Sequence, residues 1–206
     1  MDFKNSDTIP GPRSEDHLPH TTQAAVKIVI VGGFGVGKTT MVGAVSEIRP
    51  LTTEETMTQA GIGVDDNYGS DTKTATTVAM DFGRISITEQ LVLYLFGTPG
   101  QERFWFLWNG LFEGALGAVV LLDTRRLEVS FDVIGRLEER GVPFVVAVNS
   151  FPDAPRYPIE ELRVALDLPA EIPIMECDAR RRASSRDVLM TLMRFLHSLT
   201  MRRAPI

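Results

Sequence analysis

Gly32 to Thr39 reads GGFGVGKT and fits the pattern G-x-x-x-x-G-K-[ST], a spacing of residue types suited to binding phosphate. Gly32, Gly33, Gly35 and Gly37 allow backbone N–H groups to curl around anionic oxygens, with Phe34 and Val36 between them. Lys38 can neutralise the β and γ oxygens of a nucleotide, and the Thr39 hydroxyl can ligate Mg²⁺. Thr40 follows in the same turn, where the start of a helix would add its dipole.

The pattern carries weight only if a strand precedes it and a helix follows. VKIVIV, residues 26–31, is short and β-branched and predicts a strand buried on both faces. KTTMVGAVSEI after the loop has helical spacing. TTVAMDFGRISI and QLVLYLF, with a few polar residues between them, predict an antiparallel hairpin. LGAVVLLD, PFVVAVN and IPIMEC predict three further strands. Helices are expected over QERFWFLWNGLFEGA, over IEELRVALDL and over EVSFDVIGRLEERG, where Val129, Val133, Ile134 and Leu137 share a face before a glycine stop. The last helix, SSRDVLMTLMRFLHSL, sets Leu189, Leu192, Met193 and Leu196 at core spacing. Residues 50–70 are polar and aperiodic and predict a long surface loop. Alternating strands and helices in this order predict a three-layer α/β domain over 25–203, with a mixed, mostly parallel six-stranded sheet and helices on both faces. Residues 1–24, with Pro10, Gly11, Pro12 and Pro19, are expected to form a tail.

Composition narrows the function classes. The 206 residues are 44% hydrophobic and 23% charged, ordinary globular values that argue against disorder as the main state. A net charge of -6 argues against a nucleic-acid backbone as principal ligand. The single cysteine, Cys177, has no disulfide partner and no metal-ligand spacing, and the start MDFKNSDTIPGPR lacks a basic-then-apolar leader. The expectation is a cytoplasmic protein that meets a membrane only through partners.

With this loop, TPGQERF and the element order together, the chain resembles the Ras-like small GTPases over roughly Val26 to Leu199. TTVAMDFGRI, FGTPGQERFWFLW and ECDAR are most similar to the bacterial branch that includes gliding-motility polarity GTPases. Within it they resemble most the ATP/GTP-binding proteins encoded in actinobacterial conservons. The resemblance implies a P-loop NTPase fold of Ras-like type, binding of GTP or GDP with Mg²⁺, and slow GTP hydrolysis. It makes Thr77, with Thr76 as a rival, the threonine that closes over Mg²⁺ and the γ-phosphate. It makes Gly100 the glycine whose N–H reads that phosphate and Gln101 the residue that orients attacking water. Asn149 in VAVNS and Asp178 and Ala179 in ECDAR fall at base-reading positions, with the Ala179 N–H directed to the base O6. The related systems imply a small roadblock-type regulatory protein and a sensor-kinase-like membrane protein as partners.

Four departures complicate this. Gly97 stands where the family keeps a magnesium-directing aspartate. Ser150 replaces the base-flanking lysine, and Pro152 takes the place of the base-reading aspartate, with Asp153 one residue later either bulging in to serve or making an ordinary turn. Phe34 occupies a loop position where many relatives keep a small residue. There it either crowds the route to the γ-phosphate or folds onto apolar neighbours. Asp123, at the end of LLD, is expected to be structural, separated from Gly97 by the first strand.

Within RFWFLW, Phe104 and Trp108 share a helical face and Trp105 points elsewhere, to the core or to a partner. The run ARRRASSR either attracts an acidic surface or is a solvated loop. Beside the GTPase switch stand two alternatives: a scaffold with negligible hydrolysis, motivated by Gly97 and Phe34, and an ATP-preferring ATPase, motivated by the altered base motif.

Overall fold

The computed structural model describes residues 22–57, 76–100, 104 and 108–203. The expected tail over residues 1–24 lies almost wholly outside them. The first strand, β1 (Ala24–Val31), leads through the glycine loop into α1 (Lys38–Val45). Next come β2 (Leu51–Met57), β3 (Thr76–Ser86), β4 (Leu91–Gly97) and α2 (Trp108–Phe112). The chain continues through β5 (Ala115–Leu122), α3 (Glu128–Glu139), β6 (Phe144–Asn149), α4 (Ile159–Ala165), β7 (Ile174–Cys177) and α5 (Arg182–Arg203).

Among the described residues the strands form one sheet in the order β2-β3-β4-β1-β5-β6-β7. The β2–β3 and β3–β4 pairs are antiparallel, and the other four neighbouring pairs are parallel. The mixed, mostly parallel α/β architecture is the one expected, with seven strands rather than six. The extra strand is β2, carved from the segment expected to be loop. It pairs along β3 at the sheet edge, where the apolar run that marks a central strand is not required.

The central strands are buried on both faces because their residues alternate between two cores. Ile28 and Ile30 of β1, Val119 and Leu121 of β5, and Val145 and Ala147 of β6 face a cluster closed by Met41, Val42 and Val45 of α1 and Val188, Leu189, Leu192 and Leu196 of α5. Val29 and Val31, Val120 and Leu122, and Phe144 and Val146 face the other, closed by Val133, Ile134 and Leu137 of α3 and Trp108 and Phe112 of α2. The expected faces of α3 and α5 therefore lie on opposite sides of the sheet. Val129 and Met193 are only partly buried, and Ser130 is buried in the first turn of α3. The glycine stop after α3 is Gly141, at φ 61°.

This topology gathers the carboxyl ends of β1, β4, β5, β6 and β7 along one edge. β1 lies between β4 and β5, so the connections leave it in opposite directions and open a crevice above its end.

Candidate functional site

The glycine loop sits in that crevice. Gly37 adopts φ 106°, and a Cβ there would lie 2.7 Å from the Asn149 amide nitrogen, so only glycine permits both the turn and the approach. The following helix has no side-chain cap and no acidic residue in its first turn, leaving its N-terminal N–H groups for an anion. Lys38 is buried, and its Nζ donates to the carbonyls of Gly32 at 2.9 Å and Gly33 at 2.7 Å. Burial draws the ammonium down to about pKa 8; the Asp81 carboxylate pulls it upward and the Arg126 guanidinium pushes it further down. Thr39 and Thr40 are exposed at the mouth of the crevice.

The turn after β4 is fastened to this loop. The Thr98 N–H and hydroxyl both donate to the Ile30 carbonyl, at 3.0 and 3.3 Å. Trp108 Nε1 donates to the Pro99 carbonyl at 3.4 Å, and the indole meets Phe112 edge-on. Gly100 is thereby set against the loop: a Cβ there would lie 2.6 Å from Lys38 Nζ and 2.8 Å from the Gly33 carbonyl oxygen. Phe104 and Trp108 are both buried. Gln101 and Trp105 lie outside the described residues. The Thr76 and Thr77 backbones belong to β3, opposite Met57 and Thr56.

At the other end of the crevice Asn149 is buried and acts as a latch. Its Nδ2 donates to the Val36 carbonyl at 2.8 Å, and its Oδ1 accepts the Ala179 N–H at 2.9 Å. One side chain thus ties the glycine loop to the β7–α5 connection, and the N–H expected to face a base is committed to the protein. Asp178 accepts from the backbone N–H and two guanidinium nitrogens of Arg180, which holds its carboxyl below the usual carboxylate range. Asp153 is exposed in the loop after β6.

Asp123 is structural, with β1 between its strand and β4 as expected. Burial favours its neutral form, but hydrogen bonds and charge from Arg125, with Arg126, outweigh this and hold it below the usual range. Arg125 in turn lies over the Phe151 ring, 3.9 Å from its centroid.

Two residues that the sequence reading does not single out touch the loop. Arg126 donates to the Phe34 carbonyl from the β5–α3 connection. Asp81 of β3 accepts the Thr39 hydroxyl at 2.5 Å. The spacing of neither residue marks it, because both contacts depend on tertiary register. The Phe34 ring is 63% exposed, so it stands in solvent at the loop rather than folding onto apolar neighbours.

This is a P-loop nucleotide site, with the residues expected to cradle phosphate brought together from α1, the glycine loop and the turn after β4. The fold is that of a G domain: the G domain of the FeoB iron transporter of T. maritima superposes with a TM-score of 0.57 at 16% identity, over 84% of this chain and 99% of that one. An uncharacterised protein of Methanocaldococcus jannaschii is 28% identical over 126 residues, 60% of this chain and 69% of that protein. Such sites bind nucleotide typically with Mg²⁺, and the Thr39 hydroxyl at the loop end has the donor chemistry for that metal. Among the described residues no helix is long and apolar enough to cross a membrane. Residues 30–198 match the family described as conserved hypothetical ATP binding protein, and the chain belongs to that family.

Proposed function

We propose that the protein is a guanine-nucleotide switch that hydrolyses GTP slowly and signals to a partner protein. One observation carries this reading: Gly100, in the turn after β4, lies against Lys38 and Gly33. A segment fastened there shifts when a γ-phosphate arrives, which is how such a fold converts the state of its nucleotide into a change of surface. Lys38 binds the β and γ oxygens, Gly100 offers its N–H to the γ-phosphate, and Gln101 orients the attacking water. Thr39 and Thr77 would hold Mg²⁺, which supplies charge neutralisation across the phosphates. Asn149 aligns the base loops, and Asp153 recognises the guanine edge. Phe34, standing in solvent at the loop, obstructs an approaching cation and keeps turnover slow. The partners fitting this reading are a small roadblock-type regulator and a sensor-kinase-like membrane protein, as for the conservon proteins that the sequence resembles.

Adenine preference is a second reading, favoured by a specific observation: the Ala179 N–H, a natural donor to guanine O6, is bonded to Asn149 Oδ1. The family description, ATP binding, agrees with it.

The experiment is a titration with fluorescent GTP and ATP analogues, with and without Mg²⁺, followed by phosphate release in the same samples. Tighter GTP binding with slow release is the expected result. Equal or tighter ATP binding sinks the guanine assignment, and GTP binding without release leaves a scaffold.

A further inference from the structure

The sequence lacks a carboxylate at residue 97, yet a carboxylate stands beside that position. Asp81 of β3 is the direct antiparallel partner of Gly97 of β4, so the two α-carbons face one another across the strand pair. Asp81 is buried, 6% exposed. A Cβ built on Gly97 would lie 3.1 Å from both Asp81 Cβ and Asp81 Oδ2, a contact tight enough that the Asp81 side chain would have to give way by a few tenths of an ångström. The glycine at 97 is thus the space that the Asp81 side chain fills.

One partner of that carboxylate, Thr39, is the informative one. A threonine hydroxyl ligates a cation through an oxygen lone pair, and does so well only when its proton is directed to another acceptor. Asp81 Oδ2 accepts the Thr39 proton at 2.5 Å, orienting the hydroxyl as a ligand. Asp81 also lies close enough to Lys38 for its charge to favour the ammonium. Among the described residues no group of three His, Cys, Asp or Glu side chains gathers to hold a metal unaided. In the nucleotide reading a cation here would be held by phosphate oxygens, Thr39, Thr77 and water, together with the group that orients them.

We propose that Asp81 is the magnesium-directing carboxylate of this protein, delivered from β3 across the strand pair, and that Gly97 exists to admit it. The inference rests on the nucleotide reading above and deepens it. Asp81 is a positioning residue: it orients Thr39 and sets its negative charge beside the metal and its bound water. The loss of an aspartate from position 97 thus leaves the site with its carboxylate.

The test is the Mg²⁺ dependence of fluorescent GDP and ADP dissociation, titrated from EDTA to excess metal. Asp81→Asn keeps shape and an acceptor for Thr39 but removes the charge. It is expected to raise the Mg²⁺ concentration for half-maximal slowing by about 10- to 100-fold, while release in EDTA stays near wild type. The exchange Asp81→Gly with Gly97→Asp moves the carboxylate back across the pair and is expected to restore the magnesium midpoint. An unchanged midpoint in Asp81→Asn overturns the proposal, as does equal weakening with and without metal, which marks a structural role only. If Asp81→Asn does not fold, the exchange variant decides alone: a folded protein with no magnesium response overturns the assignment. Wild-type protein that binds neither nucleotide removes the nucleotide reading and this inference with it, whereas nucleotide binding with an unaltered variant midpoint removes only the inference.

Discussion

At the phosphate end of the crevice Lys38 and Asp81 are buried, and their partners include loop carbonyls and a hydroxyl from another element. At the base end Asp153 is exposed, and Asp178 is clasped by Arg180 two residues away. The first is built by tertiary packing before any ligand arrives, so its contacts cost little reorganisation when phosphate binds. The second spends the Asp178 carboxylate on a local turn and the Ala179 N–H on Asn149 Oδ1, so it discriminates with what those bonds leave over. Affinity and base selectivity should therefore respond differently to substitution.

The largest effect is expected from Lys38→Ala, which removes a buried cation from the phosphates. Charge-assisted hydrogen bonds contribute about 1.5–3 kcal/mol each, so nucleotide affinity should fall by about 100-fold or more, equally for GTP and ATP. Competitive displacement of a fluorescent analogue measures both. A loss confined to one base would break the division between the two ends. Asn149→Ala, at the latch joining them, leaves the Val36 carbonyl and the Ala179 N–H without their partner. Each buried orphan costs about 1–3 kcal/mol, and a net loss near 2 kcal/mol should lower Tm by roughly 4–8 °C in a thermal melt. An unchanged Tm would mean that the two ends are held in register by something else.

The phosphate end was legible in the sequence because its geometry is local. A strand, a glycine turn and a helix start lie within sixteen residues of chain. What stayed hidden was fixed by register between distant segments. β2 carries Thr and Glu without a hydrophobic period, and only pairing with β3 makes it a strand. Asp81 reaches Thr39 across 42 residues of sequence, and Arg126 reaches the Phe34 carbonyl across 92. Asn149 was legible by position but not by role, because a motif specifies a side chain and not which of its hydrogen bonds the fold has already claimed.

The third effect is pH dependence, and it should belong to the phosphate end alone. Burial sets Lys38 near pKa 8 in the free protein, below the 10.5 of an exposed lysine. A bound phosphate raises it again, so binding between those values takes up a proton. Affinity should be level below pH 8 and fall by about tenfold by pH 9, with proton uptake seen calorimetrically in buffers of different ionisation enthalpy. The sign for the free protein is opposite. Its unfolded chain holds more protons between pH 8 and 10.5, so this group adds stability as pH rises through that window. Lys38→Arg, which stays charged, should flatten the binding profile to pH 9. Phe34→Gly comes next, since an exposed ring that obstructs, as proposed, would hinder approach rather than binding. Basal or partner-stimulated phosphate release should rise by about tenfold or less, about 1.4 kcal/mol of barrier, and no change in either would discard the obstruction.

The smallest effect is expected where the base end is least built. Asp153→Asn exchanges a carboxylate that can accept two guanine N–H bonds for an amide that can accept only at one atom. In a closed pocket such a change costs several kcal/mol, but Asp153 is exposed and water competes for every bond it makes. GTP affinity should therefore drop by only about fivefold, about 1 kcal/mol, with ATP affinity unmoved, in the same displacement assay that reads Lys38→Ala. A fall of 100-fold or more would mean that nucleotide binding closes the loop after β6 over the base, making both ends equally built in the bound state. No change for GTP would instead assign Asp153 to the turn, and the adenine reading favoured by the committed Ala179 N–H would take its place.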